Sequence, residues 1–121
     1  MTRQSRMLCV DDNKELLNSL AQQFINEDFD VDTADDGDVA LQKLKVNQYD
    51  IVLLDLRMPR MDGRKVLIEM KSIDKNPRVI ILTGINDLPT AQECIKLGAK
   101  DYVTKPYEPE ELLQIVMKVL E

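Results

Sequence analysis

Three apolar runs in this chain each lead into a polar group capable of chemistry. Met7-Leu8-Cys9-Val10 runs into Asp11-Asp12, Ile51-Val52-Leu53-Leu54 into Asp55, and Val79-Ile80-Ile81-Leu82 into Thr83. A fourth, shorter run, Tyr102-Val103-Thr104, leads into Lys105-Pro106. If these runs are parallel buried strands, their carboxyl ends lie along one edge of one sheet, where open α/β sheets bind their ligands. Three carboxylates, a hydroxyl and an ammonium then converge. Crowded acids suit a hard cation with oxygen ligands, because like charges about 4 Å apart repel by roughly 4 kcal/mol at an effective dielectric of 20. The lysine and the hydroxyl suit an oxyanion such as a phosphoryl group. Taken singly, each residue has an ordinary reading: Asp11-Asp12 as a helix cap with a solvated neighbour, Asp55 as a turn acid, Thr83 as a strand end, Lys105 as a surface lysine. Their shared position at strand ends makes the set informative.

The elements that must position these groups follow from periodicity. Strands are expected at Arg6–Val10, Asp30–Ala34, residues 50–54, residues 78–82 and residues 101–103, with helical patterns between them. The first helix is expected from about Asn13 to Glu27, with Leu16, Leu17, Leu20, Phe24 and Ile25 on one face and Asp12 as its cap. The second starts near Asp38, after the turn Asp35-Asp36-Gly37, and buries Val39, Ala40, Leu41 and Leu44 in some combination. The third starts near Arg64, after Asp62-Gly63. The fourth starts around Pro89 and stops at Gly98. The fifth runs from Pro109 to about Leu120. Strand–helix alternation means right-handed βαβ units and a parallel sheet. The first, third and fourth strands are the most apolar and belong in the centre, with the second and fifth as edges.

Composition narrows the function classes. The 121 residues suit a single domain over 1–121, with no output domain visible. A hydrophobic share of 44% with 31% charged residues reads as a globular chain. The net charge of −6 and a pI near 4.7 argue against direct contact with nucleic acid or anionic membrane. No apolar run approaches the roughly 20 residues of a membrane span, and the segment after Met1-Thr2-Arg3-Gln4-Ser5-Arg6 is too short for a signal-peptide core. A cytoplasmic location is the expectation. Cys9 and Cys94 have no metal-type spacing and read as reduced apolar side chains. There is no histidine. The chain therefore has no His-based acid/base catalysis and carries no phosphohistidine.

Asp11-Asp12, Asp55, Met58-Pro59-Arg60-Met61-Asp62-Gly63, Thr83-Gly84, Gly98-Ala99-Lys100-Asp101-Tyr102 and Lys105-Pro106 together resemble the receiver domains of bacterial response regulators, the acceptors of two-component phosphorelays. The resemblance spans essentially the whole chain. It implies a flavodoxin-like, doubly wound, five-stranded parallel sheet of order 2-1-3-4-5 with five helices. That order is the general one for this fold class and comes from the resemblance, not from the periodicity. The resemblance further implies that Asp55 is the phosphoacceptor, served by a phosphohistidine on a histidine kinase or phosphotransfer protein. It implies Mg²⁺ held by Asp12, Asp55 and the backbone carbonyl of Arg57, with Asp11 acting through bound water. Lys105 would pair with a phosphoryl oxygen, Thr83 would donate to another, and Tyr102 would change exposure with Thr83. Lys105-Pro106 would be a cis peptide. The implied activity is that of a switch with slow self-catalysed phosphorylation and dephosphorylation, not of an enzyme. The fourth helix, fifth strand and fifth helix would form the face for a homodimer or an output domain.

Physical chemistry is compatible with these roles, since phosphoryl transfer needs positioning and charge neutralisation more than acid/base chemistry. Arg57 and Ile85, two residues beyond Asp55 and Thr83, would tune the lifetime of the acyl phosphate. A rival is a Mg²⁺-dependent phosphatase of the haloacid-dehalogenase type, which needs a second Asp where Arg57 stands. A flavodoxin-like cofactor carrier needs a Ser/Thr/Gly-rich phosphate loop where Asp11-Asp12-Asn13-Lys14-Glu15 stands. A receiver-like module that is never phosphorylated has no need of the full acid, hydroxyl and lysine set. In the last helix, Leu112, Ile115, Val116 and Val119 form a core stripe, and Leu113, Met117 and Leu120 a second stripe that either packs at the core's edge or meets a partner.

Overall fold

The structure is a computed structural model that describes residues 4–73 and 76–121. Its strands are β1 (Arg6–Val10), β2 (Asp30–Ala34), β3 (Ile51–Asp55), β4 (Arg78–Gly84) and β5 (Asp101–Lys105). Its helices are α1 (Lys14–Ile25), α2 (Gly37–Val46), α3 (Gly63–Met70), α4 (Leu88–Lys96) and α5 (Pro109–Leu120), with a 3-10 turn at Ile85–Asp87 ahead of α4. All strand pairs are parallel and the order is β2-β1-β3-β4-β5. The expected fold and its two edges are therefore present.

Alternating side chains on the central strands feed two cores, one on each face of the sheet. Leu8, Val10, Val52, Leu54, Val79 and Ile81 pack with α2, α3 and α4. Met7, Cys9, Ile51, Leu53, Ile80 and Leu82 pack with α1 and α5. Burial on both faces is why these strands read as unbroken apolar runs. Cys9 and Cys94 are both buried free thiols, and burial pushes the Cys9 thiol up to about 12.

Several boundaries differ from expectation. β3 includes Asp55, and β4 and β5 each continue two residues further, because the ladder pairs Asp55 with Leu82, Thr83 with Thr104 and Gly84 with Lys105. Backbone pairing does not stop where side chains become polar. Asn13, not Asp12, caps α1, its side chain accepting from the Leu16 amide at 3.1 Å. In α1 the buried stripe is Leu17, Leu20, Ala21 and Phe24, while Leu16 and Ile25 are each 49% exposed. At 100° per residue those two lie about 90° to either side of the stripe, on the flanks rather than the face. In α2, Ala40 and Leu44 are buried and Val39 and Leu41 only partly so. Gly98 ends α4 with φ +116°, a conformation that favours glycine. In α5, Leu112 and Val116 are fully buried, Ile115, Val119, Leu113 and Leu120 pack partly against the same core, and Met117 is exposed.

Candidate functional site

The register of the central strands delivers the acidic groups to one place. Val10 pairs with Leu54, so the next residue of each strand, Asp11 and Asp55, emerges at the same level. Asp11 is 2% exposed and Asp55 6%, while Asp12 faces solvent. One carboxylate oxygen from each of Asp11, Asp12 and Asp55 lies within 4.8 Å of the others. Lys105, from the end of β5, reaches across β4 to the group. Its Nζ donates to Asp55 Oδ1 at 3.0 Å and to Asp11 Oδ2 at 3.2 Å. The second oxygen of Asp11 accepts from the Asn13 amide at 2.9 Å, tying it to the start of α1. The Lys105-Pro106 peptide is cis.

Three carboxylates face one ammonium, a formal local charge of −2. At 4.8 Å and an effective dielectric near 20, each carboxylate pair repels by about 3 kcal/mol. Burial raises the Asp55 carboxyl to about 6; Lys105 works against that rise, and Asp11 and Asp12 add to it. Burial pulls Lys105 down, but its hydrogen bonds and charge contacts with Asp55 and Asp11 more than offset this and leave it raised. The Asp55 carboxyl is thus mostly ionised at neutral pH and incompletely compensated.

The rest of the setting comes from neighbouring elements. Thr83, 1% exposed, lies one residue past the partner of Asp55 in β4, and its hydroxyl donates to the Gly84 carbonyl at 3.1 Å. Tyr102, in β5 opposite Ile81, is half-buried against the core that includes α4. Asp62 caps α3 by accepting from the Lys65 amide at 2.9 Å, and Asp36 caps α2 through the Val39 amide at 2.8 Å, so these acids are structural. Gly63 holds α3 against β3: its amide donates to the Leu56 carbonyl at 2.8 Å, and a Cβ there would lie 2.5 Å from the Asp55 carbonyl oxygen.

Arg57 has a partner that sequence reasoning missed. Its guanidinium forms a bidentate pair with Asp87, at 2.7 and 3.0 Å. Thirty residues separate the two, and nothing local in the sequence marks them as neighbours. Both line a groove of about 450 Å³, together with Asp12 and Thr90 among others. Thus the structure gathers Asp11, Asp12, Asp55 and Lys105 into one contact set. It places Thr83 on the adjoining strand end and Tyr102 one strand away, and it points the Arg57 side chain towards α4.

No helix among the described residues is long and apolar enough to cross a membrane. Comparison with known proteins agrees with the geometry. The family model for the response regulator receiver domain matches residues 7–117. The chain is 39% identical over 121 residues to the regulatory protein AtoC of Escherichia coli, covering all of this chain and 26% of AtoC. It is 37% identical over 115 residues to the sporulation initiation phosphotransferase F of Bacillus subtilis, covering 95% of this chain and 93% of that protein. Among solved structures, the receiver domain of Francisella response regulator 1452 superposes with a TM-score of 0.87 at 31% identity, covering 96% of each chain. The chain spans about a quarter of AtoC and nearly the whole of the sporulation protein. With a parallel 2-1-3-4-5 sheet, an acidic cluster at its carboxyl edge and a family match over most of its length, this chain belongs to the receiver domains of two-component response regulators.

Proposed function

We propose that Asp55 accepts a phosphoryl group from the phosphohistidine of a histidine kinase or phosphotransfer protein, and that this switches the surface of α4, β5 and α5. The observation that carries the proposal is the Lys105 ammonium bridging Asp55 and Asp11 inside a cluster of three carboxylates. A carboxylate oxygen of Asp55 forms the new P–O bond as the donor's P–N bond breaks, and the electron pair stays on the donor imidazole. Asp55 requires no base, because it is already largely ionised above pH 6. Lys105 is within reach of the added oxygens and can exchange a carboxylate for a phosphoryl contact without moving far. Thr83 turns its hydroxyl from the Gly84 carbonyl to a phosphoryl oxygen. Tyr102 follows into the space vacated, which changes the exposed face.

The donor set fits Mg²⁺. All the side-chain ligands are oxygens, no imidazole or thiolate competes, and exposed Asp12 leaves room for bound water. Asp12, Asp55 and the Arg57 backbone carbonyl would hold the ion, with Asp11 acting through water. Mg²⁺ would supply charge neutralisation for the phosphoryl oxygens. A dehalogenase-type phosphatase is disfavoured because the position that needs an acid holds Arg57, already paired with Asp87. The net charge of −6 argues against direct nucleic-acid contact. A kinase or phosphotransfer protein is the donor, and a second copy or an output domain takes the switched face.

The test is labelling by acetyl phosphate with and without Mg²⁺. Wild-type protein is expected to take up a hydroxylamine-labile label only with Mg²⁺, and Asp55→Asn to take up none while remaining folded. Undiminished label on the variant would end the proposal.

A further inference from the structure

Three helices begin with an Asn or Asp that caps them in the ordinary way. Asn13, Asp36 and Asp62 have ψ of 107°, 169° and 171°, and each accepts from an amide of its own first turn. α4 also begins with such a residue, Asp87, but this one makes no cap. Its ψ is 15° and its carboxylate makes no hydrogen bond to the helix. Both its oxygens are occupied by Arg57 instead. A residue type strongly favoured for capping is therefore diverted to a side chain two positions from the proposed phosphoacceptor. The choice of alternative donor is also restricted. An N-cap carboxylate serves the second or third helical amide, and the second here is Pro89, which has none, leaving Thr90. Thr90 lines the same groove as Arg57, Asp87 and Asp12.

We infer that Arg57 and Asp87 form a resting clasp which a phosphoryl group on Asp55 opens, the guanidinium passing to the phosphoryl oxygens and the freed Asp87 rotating to cap α4 at Thr90. This rests on the reading of Asp55 as phosphoacceptor, and it adds Arg57 as a second cation for the phosphoryl group and a second route from the site to α4. The aspartyl phosphate carries about one and a half to two negative charges at neutral pH by analogy with other phosphoresidues, in place of the single charge of the carboxylate, and a guanidinium pairs with phosphate oxygens in the same forked geometry it uses for a carboxylate. The Arg57 side chain is 78% exposed, so it can swing without unpacking the core. Asp87 is only 18% exposed, and its carboxylate, once released, needs a new donor in place. The Thr90 amide supplies it. The accompanying change in ψ at Asp87 opens the Ile85–Asp87 turn and re-aims the first turn of α4.

The experiment uses the whole chain with Mg²⁺, titrated with beryllofluoride as the acyl-phosphate mimic and followed by NMR and amide exchange. In wild type, Asp55 and Lys105 amides are expected to shift, the Arg57 Nε–H resonance to move, and Thr90 amide exchange to slow roughly fivefold, the factor a typical cap provides. Arg57→Ala frees Asp87 without the mimic, so Thr90 is expected to exchange slowly from the outset and change little on titration. In Asp87→Ala, Thr90 should exchange fast in both states. A wild type in which Asp55 and Lys105 respond while Thr90 does not, or an Arg57→Ala protein whose Thr90 exchanges like resting wild type, overturns the clasp and leaves the phosphoacceptor reading standing. Silence at Asp55 and Lys105 themselves removes that reading and the clasp with it.

Discussion

Replacing Asp55 by Asn should stabilise the metal-free protein, and the gain should grow with pH. The Asp55 carboxyl is raised from 3.8 to about 6 in the folded state, chiefly by burial. A carboxyl raised in the folded state binds its proton more tightly there than in the unfolded chain. Its favourable contribution is present in full below pH 3.8, is lost as pH rises from there through 6, and is absent above that. A shift of about two units corresponds to roughly 3 kcal/mol, and with Asp55 only 6% exposed, solvent screening removes little of it. Asn resembles the neutral acid in shape and keeps an acceptor for Lys105, so Asp55→Asn should match wild type near pH 4 and exceed its stability by up to about 3 kcal/mol at pH 8. The assay is urea denaturation in chelator from pH 4.5 to 8, read as the difference between the two proteins, so that the other titrating acids cancel. Adding Mg²⁺ should narrow the gap by stabilising wild type, by roughly 1.4 kcal/mol at ten times Kd. A difference that stays flat across this range, or a variant less stable than wild type at pH 8, would refute the claim that Asp55 is held ionised against its surroundings.

Lys105→Ala leaves the three carboxylates in place, so Mg²⁺ binding measured by titration should persist while acetyl-phosphate labelling falls; equal labelling would remove Lys105 from the phosphoryl site. Thr83→Ala should bind beryllofluoride but blunt the accompanying NMR shifts at Tyr102 and in α4 and α5. Gly63→Ala forces a methyl to within 2.5 Å of the Asp55 carbonyl unless the backbone moves; it should cost about 1–3 kcal/mol in thermal or urea unfolding and displace the Asp55 amide resonance. A wild-type unfolding midpoint would contradict that contact.

The elements, their order along the chain and the four side chains that the structure gathers into the candidate site, Asp11, Asp12, Asp55 and Lys105, were legible in the sequence by itself. Unbroken apolar runs such as Ile51-Val52-Leu53-Leu54 occur where both faces of a strand are covered, and the helical stripes between them leave few alternatives to a parallel sheet. The sheet order and the functional roles came from resemblance, because strand order depends on crossovers that no single segment encodes. Tertiary structure decided what depends on distance. Asn13 rather than Asp12 caps α1, because Asp12 belongs to the acidic cluster. Leu16 and Ile25 look like core by type but lie on the flanks of α1, since the sheet covers only a narrow stripe of the helix. Lys105 meets Asp11 and Asp55 across separations of 94 and 50 residues, and Arg57 meets Asp87 across 30. Hydrophobic periodicity is a local signal, repeated every few residues. A contact between two charged side chains leaves no such period, and only the folded register brings the two ends together.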